Sequence, residues 1–139
     1  MAAVQVQVFL NRARDFLKGV DLLKDDLTAY RYASALLAIH GALSYGDALR
    51  SGMGITNLSS DDHTRAAIDL RKLLVDRKYK DLKGPDRLRT LLSRKSRIAY
   101  APDAARENEI EDILKQAERF AIWAEETGEK LKIEGWRDE

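Results

Sequence analysis

Apolar residues recur at helical spacing along nearly the whole chain. Phe9, Ala13, Phe16, Leu17, Val20 and Leu23 fall three, four or a few positions apart, as on one face of an α-helix, and predict a helix over about residues 3–23. Its start, Val4-Gln5-Val6-Gln7-Val8, alternates as a short strand would. No second strand candidate exists to pair with it, and a lone strand is not stable in water. Asp25-Asp26 is placed to cap the next helix, about 27–50. Tyr30, Ala33, Leu37, Gly41, Ser44 and Ala48 form one face there, and Tyr32, Leu36, Ile39, Leu43 and Gly46 another. A helix apolar on two faces and rich in small residues is a central one with close neighbours on both sides. Its second face meets either another helix of the chain or a second copy.

Residues 51–60 contain two glycines and read as a loop, and Ser59-Ser60-Asp61-Asp62 is a helix-start signal. The helix that follows, to about Arg77, turns Ala66, Ala67, Leu70, Leu73 and Leu74 inward. Gly84-Pro85 opens a further helix. That helix runs to about Ala99, with Leu88, Leu91, Leu92, Ile98 and Ala99 in one apolar arc, and Ala101-Pro102 stops it. Asp103 caps the last helix, 104 to about 131, whose stripe is Ile110, Ile113, Leu114, Ala117, Phe120, Ala121 and Ala124. Residues 132–139 read as a flexible tail in which only Trp136 is equipped to dock. The expected fold is all-α: one domain over 1–139, an up-and-down bundle of four to five helices.

Charge adds a pattern that the overall +1 hides. Residues 1–70 carry a net −1, residues 71–97 a net +8 and residues 98–139 a net −6. A basic block beside an acidic one points either to a phosphate-binding patch or to neighbouring helices that pair their charges. The 139 residues contain no cysteine, which excludes a disulfide framework and thiolate chemistry. No uncharged run is long enough to span a bilayer, and no basic residue precedes the apolar N-terminus as in a secretory signal, so the expectation is a cytoplasmic protein without membrane contact.

The candidate chemistry concentrates at residues 94–100. Lys95 falls in the middle of the apolar arc, where an unpaired ammonium is costly. It either snorkels or lines a cleft that favours positive charge. Arg94, Lys95 and Arg97 beside Tyr100 are the ingredients of single-stranded nucleic-acid or nucleotide binding. His40 reads as a core histidine or as a cleft residue near that cluster, and His63 as exposed and incidental. Asp47 reads as a solvated acid, and Tyr30, Tyr32 and Tyr45 as core or interface aromatics. No metal-ligand motif, Walker loop, dinucleotide-binding glycines or nucleophile elbow is present, so no metal or cofactor is expected.

Three segments resemble HEPN-domain proteins: Tyr32 to Leu43 continuing through Asp47-Ala48-Leu49, Leu91 to Tyr100, and Ala117 to Ala124. With the helix order, the resemblance covers nearly the whole chain. It implies a helical bundle that dimerises around a cleft. Many such proteins are metal-independent ribonucleases of toxin–antitoxin and defence systems, with a motif of Arg, four to six residues, then His. Lys95 or Arg94 stands at the motif's arginine, with four or five residues before Tyr100, which replaces the histidine. A phenol of ordinary pKa near 10 is a poorer general base at neutral pH than an imidazole near 6.5. Lysine at the arginine position also lacks the bidentate fork.

The resemblance therefore implies a homodimeric, non-catalytic module binding RNA or a nucleotide through Arg94, Lys95, Arg97, Tyr100 and His40, with no readout of DNA sequence. Two alternatives stand beside it. One is a weakly active ribonuclease using Arg94, Lys95 and Tyr100. The other is a partner module for a cognate protein, with no nucleic-acid ligand.

Overall fold

The computed structural model describes residues 2–55, 58 and 64–137. The Ser59–Asp62 start signal and His63 lie outside the described residues. The elements are α1 (Ala2–Leu23), a 3-10 turn (Lys24–Asp26), α2 (Leu27–Gly52), α3 (Thr64–Asp76), α4 (Lys83–Ser93), α5 (Lys95–Tyr100) and α6 (Glu107–Lys130). Among the described residues there is no strand, and the architecture is an all-α bundle. The Val4–Val8 alternation is absorbed into α1, where Val6, Leu10, Ala13 and Val20 are buried while Val4 and Val8 face solvent.

The bundle is built around α2, which packs against α1, α3, α4, α5 and α6. The Asp26 carboxylate accepts from the Ala29 N–H at 3.2 Å and caps it, as the spacing predicts, and the helix bends at Tyr30 (φ −123°, ψ 27°). From Ser34 onward almost every residue is buried. The small residues are what permit this. A Cβ on Gly41 would lie 2.8 Å from the Leu17 side chain of α1, and one on Gly46 3.0 Å from Leu88 of α4. Both apolar faces of α2 are thus covered within the chain at Gly41 and Gly46, whereas Tyr30, Tyr32 and Ala33 near its start are exposed.

Three boundaries differ from the expected ones, each for a tertiary reason. The helix expected from Gly84-Pro85 to about Ala99 breaks at Arg94 (φ −91°, ψ −7°), which ends α4 and begins α5. Leu88, Leu91 and Ile98 are buried on either side of the break, and Leu92 and Ala99 are half-buried. The last helix starts at Glu107, not 104. Asp103 does not cap it, because its carboxylate is taken by Arg97 at 2.7 Å. Ala105 is held outside the helix: Arg31 donates to its carbonyl at 2.8 Å and the Tyr32 hydroxyl accepts from its N–H at 3.0 Å. Finally, residues 131–137 are docked, with Ile133 and Trp136 buried. Gly52 and Gly128 make room, since a Cβ at either would fall within 2.2 Å of Ile133 or Trp136.

Candidate functional site: a polar furrow beside α5

The break at Arg94 aims two arginines of the basic block at the first turns of α6. Arg94 donates to Asp112 at 2.6 Å. Arg97 grips Glu109 with its Nε and Nη2 at 3.2 and 3.1 Å, and donates to Asp103 through Nη1. Carboxylates in a first helical turn are stabilised by the macrodipole. The guanidinium of Arg97 holds Glu109 below the ordinary carboxylate range, and that of Arg94 does the same for Asp112. Around these pairs lies an open groove of about 410 Å³ lined by Arg94, Arg97, Asn108, Glu109, Asp112 and Ile113.

The structure thus brings Arg94 and Arg97 into one groove, with their charge met by α6. Tyr100 ends the same short helix and is 82% exposed. Lys95 is half-buried and outside the groove lining. His40 is half-buried on α2 and sets its ring edge-on to Phe16 of α1, centroids 6.3 Å apart, also outside the lining. The rest of the basic block is different. Arg71, Lys72, Lys78, Lys80, Lys83, Arg87 and Arg89 make no ion pair among the described residues.

Two polar clusters lie outside the candidate site that the sequence singles out. The Glu125 carboxylate accepts two hydrogen bonds from Arg14, both 2.9 Å, and one from the Tyr45 hydroxyl at 2.7 Å, tying α6 to α1 and α2. The other is Asp47–Arg50–Asp69, where Arg50 is 4% exposed. Asp47 is therefore not the solvated acid expected: its side chain is largely buried against Arg50. The Asp47–Arg50 spacing of three on one helix was the available signal.

The first cluster makes stability depend on pH at both ends. Burial raises the Glu125 carboxyl, but its hydrogen bonds from Arg14 and Tyr45 outweigh this and hold it below its ordinary 4.5. Stability from this depression is present above that value and lost as pH falls through the lower folded one. Burial, reinforced by Glu125, raises the Tyr45 phenol above its ordinary 10.0. Its contribution is complete below that value and is lost as pH rises past it. Urea midpoints measured against pH should fall on both sides of a plateau, and Tyr45→Phe should flatten the alkaline limb. An alkaline limb unchanged in that variant would assign it to other groups.

Among the described residues, no group of three or more His, Cys, Asp or Glu is placed to hold a metal ion, and no helix is long and apolar enough to cross a membrane. Fold and surface together define a class: an all-α bundle in whose basic α3–α5 region Arg94 and Arg97 are met by carboxylates, while Arg71, Lys72, Lys78, Lys80, Lys83, Arg87 and Arg89 make no ion pair among the described residues. No family model, no curated protein and no solved structure matches the chain.

Proposed function

We propose that the chain is a non-catalytic, HEPN-like helical module, acting as a homodimer in a toxin–antitoxin or defence setting, that binds RNA or a nucleotide through the surface of α3–α5. The observation that carries the reading is that Arg71, Lys72, Lys78, Lys80, Lys83, Arg87 and Arg89 make no ion pair among the described residues, together with the exposed ring of Tyr100 at the end of α5. Cations left without carboxylates keep their counterions, and releasing those to a phosphate backbone drives binding. An exposed aromatic beside them offers a stacking face. Binding without cleavage fits because Tyr100 stands where the motif has a histidine, and a phenol of ordinary pKa near 10 is a poorer general base at neutral pH than an imidazole.

Purified protein in low salt should elute as a dimer carrying nucleic acid that high salt releases. Lys95→Ala combined with Arg97→Ala should weaken RNA binding and lower its salt dependence. Because Arg97 also anchors residues 103–104, circular dichroism must first show the variant folded. Unchanged binding in a folded variant overturns the role given to these residues.

One observation favours a second reading, a module for a cognate protein. Arg94 and Arg97 already use their charge on Asp112, Asp103 and Glu109, which is the pairing that neighbouring helices of opposite charge would make. Copurification of a protein with no nucleic-acid absorbance would support it.

A further inference from the structure

The groove at Arg94 and Arg97 lies at one end of the seam where α4 packs on α6. On α6, Asn108, Asp112, Arg119, Ile122 and Glu126 are three, four or seven residues apart and share one face. Along α4, Lys83, Arg87 and Arg94 are four and seven apart. The two helices run in opposite directions. Gly84, at the start of α4, meets Trp123 late in α6, whereas Arg94, at its end, meets Asp112 early in α6. A second groove of about 310 Å³, lined by Lys83, Arg87, Arg119, Ile122, Trp123, Asp81 and Glu126, therefore lies at the other end of the same seam. From Asn108 to Glu126 the seam follows α6 for about 27 Å at 1.5 Å per residue.

Its two ends differ in charge. At the start of α6 the arginines are paired. At the far end Lys83, Arg87 and Arg119 make no ion pair among the described residues, although Asp81 and Glu126 line the same groove. Asp81 turns its carboxylate to the Lys83 backbone N–H at 3.2 Å instead. Three cations from two helices thus converge with no carboxylate of the described residues in ion-pair reach, beside an isoleucine that is 55% exposed. Guanidinium and ammonium groups so placed suit phosphates, and the apolar shoulder suits a base or sugar.

We infer that the ligand is a single-stranded RNA segment lying along the α4–α6 seam, gripped at its far end by Lys83, Arg87 and Arg119 and leading toward Arg97 and Tyr100. The inference rests on the RNA-or-nucleotide reading and narrows it, since a mononucleotide would leave one end of the seam empty. Fluorescence anisotropy with labelled oligouridylates of about two and about eight nucleotides tests it. The longer probe should bind at least about tenfold more tightly. The Lys83→Ala, Arg87→Ala, Arg119→Ala variant should bind it about tenfold more weakly, with the salt slope reduced by about two, since each single-strand phosphate contact contributes about 0.7. Arg119→Gln alone, at an exposed position, reads one contact if the triple variant does not fold.

A dinucleotide that binds as tightly as the longer probe overturns the seam. So does a longer probe indifferent to the triple variant and to Arg119→Gln but weakened by the Lys95 and Arg97 substitutions, and in that case the RNA reading stands. Wild-type protein that binds no RNA overturns both.

Discussion

Asp47→Ala destabilises the fold by about 3–5 kcal/mol, the cost of removing one partner from a buried ion pair. The arrangement explains why. Arg50 is 4% exposed, and its Nη2 donates to Asp47 at 2.5 Å one turn back on α2. Its second carboxylate, Asp69 on α3, is at 3.5 Å and is itself more exposed. Arg50 Nε is buried with no acceptor, so the guanidinium already carries one unmet donor. Without Asp47 a buried cation would depend, among the described residues, on the long contact to Asp69 alone.

Replacing both members, Asp47→Leu with Arg50→Met, should cost less than Asp47→Ala, because no charge is then left stranded. Urea unfolding with an unchanged m-value provides the comparison. A loss below about 1 kcal/mol for Asp47→Ala, or a double variant weaker than the single one, would show that the pair is solvated in solution.

The same cluster marks where the sequence is readable. The apolar stripes carried the fold, because burial follows spacing directly: Ile110, Ile113, Ala117, Phe120, Ala121 and Ala124 are buried on α6, and Ala66, Ala67, Leu70 and Leu74 on α3. The crowding of small residues on α2 identified the central helix. The boundaries did not follow from spacing, because tertiary partners set them, some more than 70 residues away. The start of α6 depends on Arg31 and Tyr32 holding Ala105, and the end of the chain on Gly52 and Gly128 admitting Ile133 and Trp136.

The basic block was legible as charge and its acidic counterpart as a neighbour. Which cations the carboxylates would occupy was not legible. That depends on the break at Arg94, which turns Arg94 and Arg97 toward α6, while Lys83 and Arg87 lie beyond the reach of Asp81 and Glu126. Arg119, on the acidic segment, carries no signal in local charge at all.

Gly84→Ala destabilises the fold by about 1–3 kcal/mol, the usual cost of forcing a methyl into a packed core. Helix propensity predicts the opposite sign, since Ala is favoured over Gly by up to about 1 kcal/mol within a helix. Sterics win because a Cβ on Gly84 would lie 2.3–2.4 Å from the Trp123 ring. That ring cannot retreat cheaply: it is 5% exposed, its Nε1 donates to the Asp81 carbonyl at 3.1 Å, and it packs on Phe120 with centroids 5.5 Å apart. Gly19 supplies the contrast. There a Cβ would meet only the Leu37 methyl at 3.1 Å, the far end of a flexible side chain. Gly19→Ala should therefore change stability by less than about 1 kcal/mol. In a Trp123→Leu background, which opens space for the methyl, Gly84→Ala should lose most of its cost. The double-mutant cycle reads that coupling directly, and an unchanged cost there would place the strain in the α4 backbone instead of at the indole.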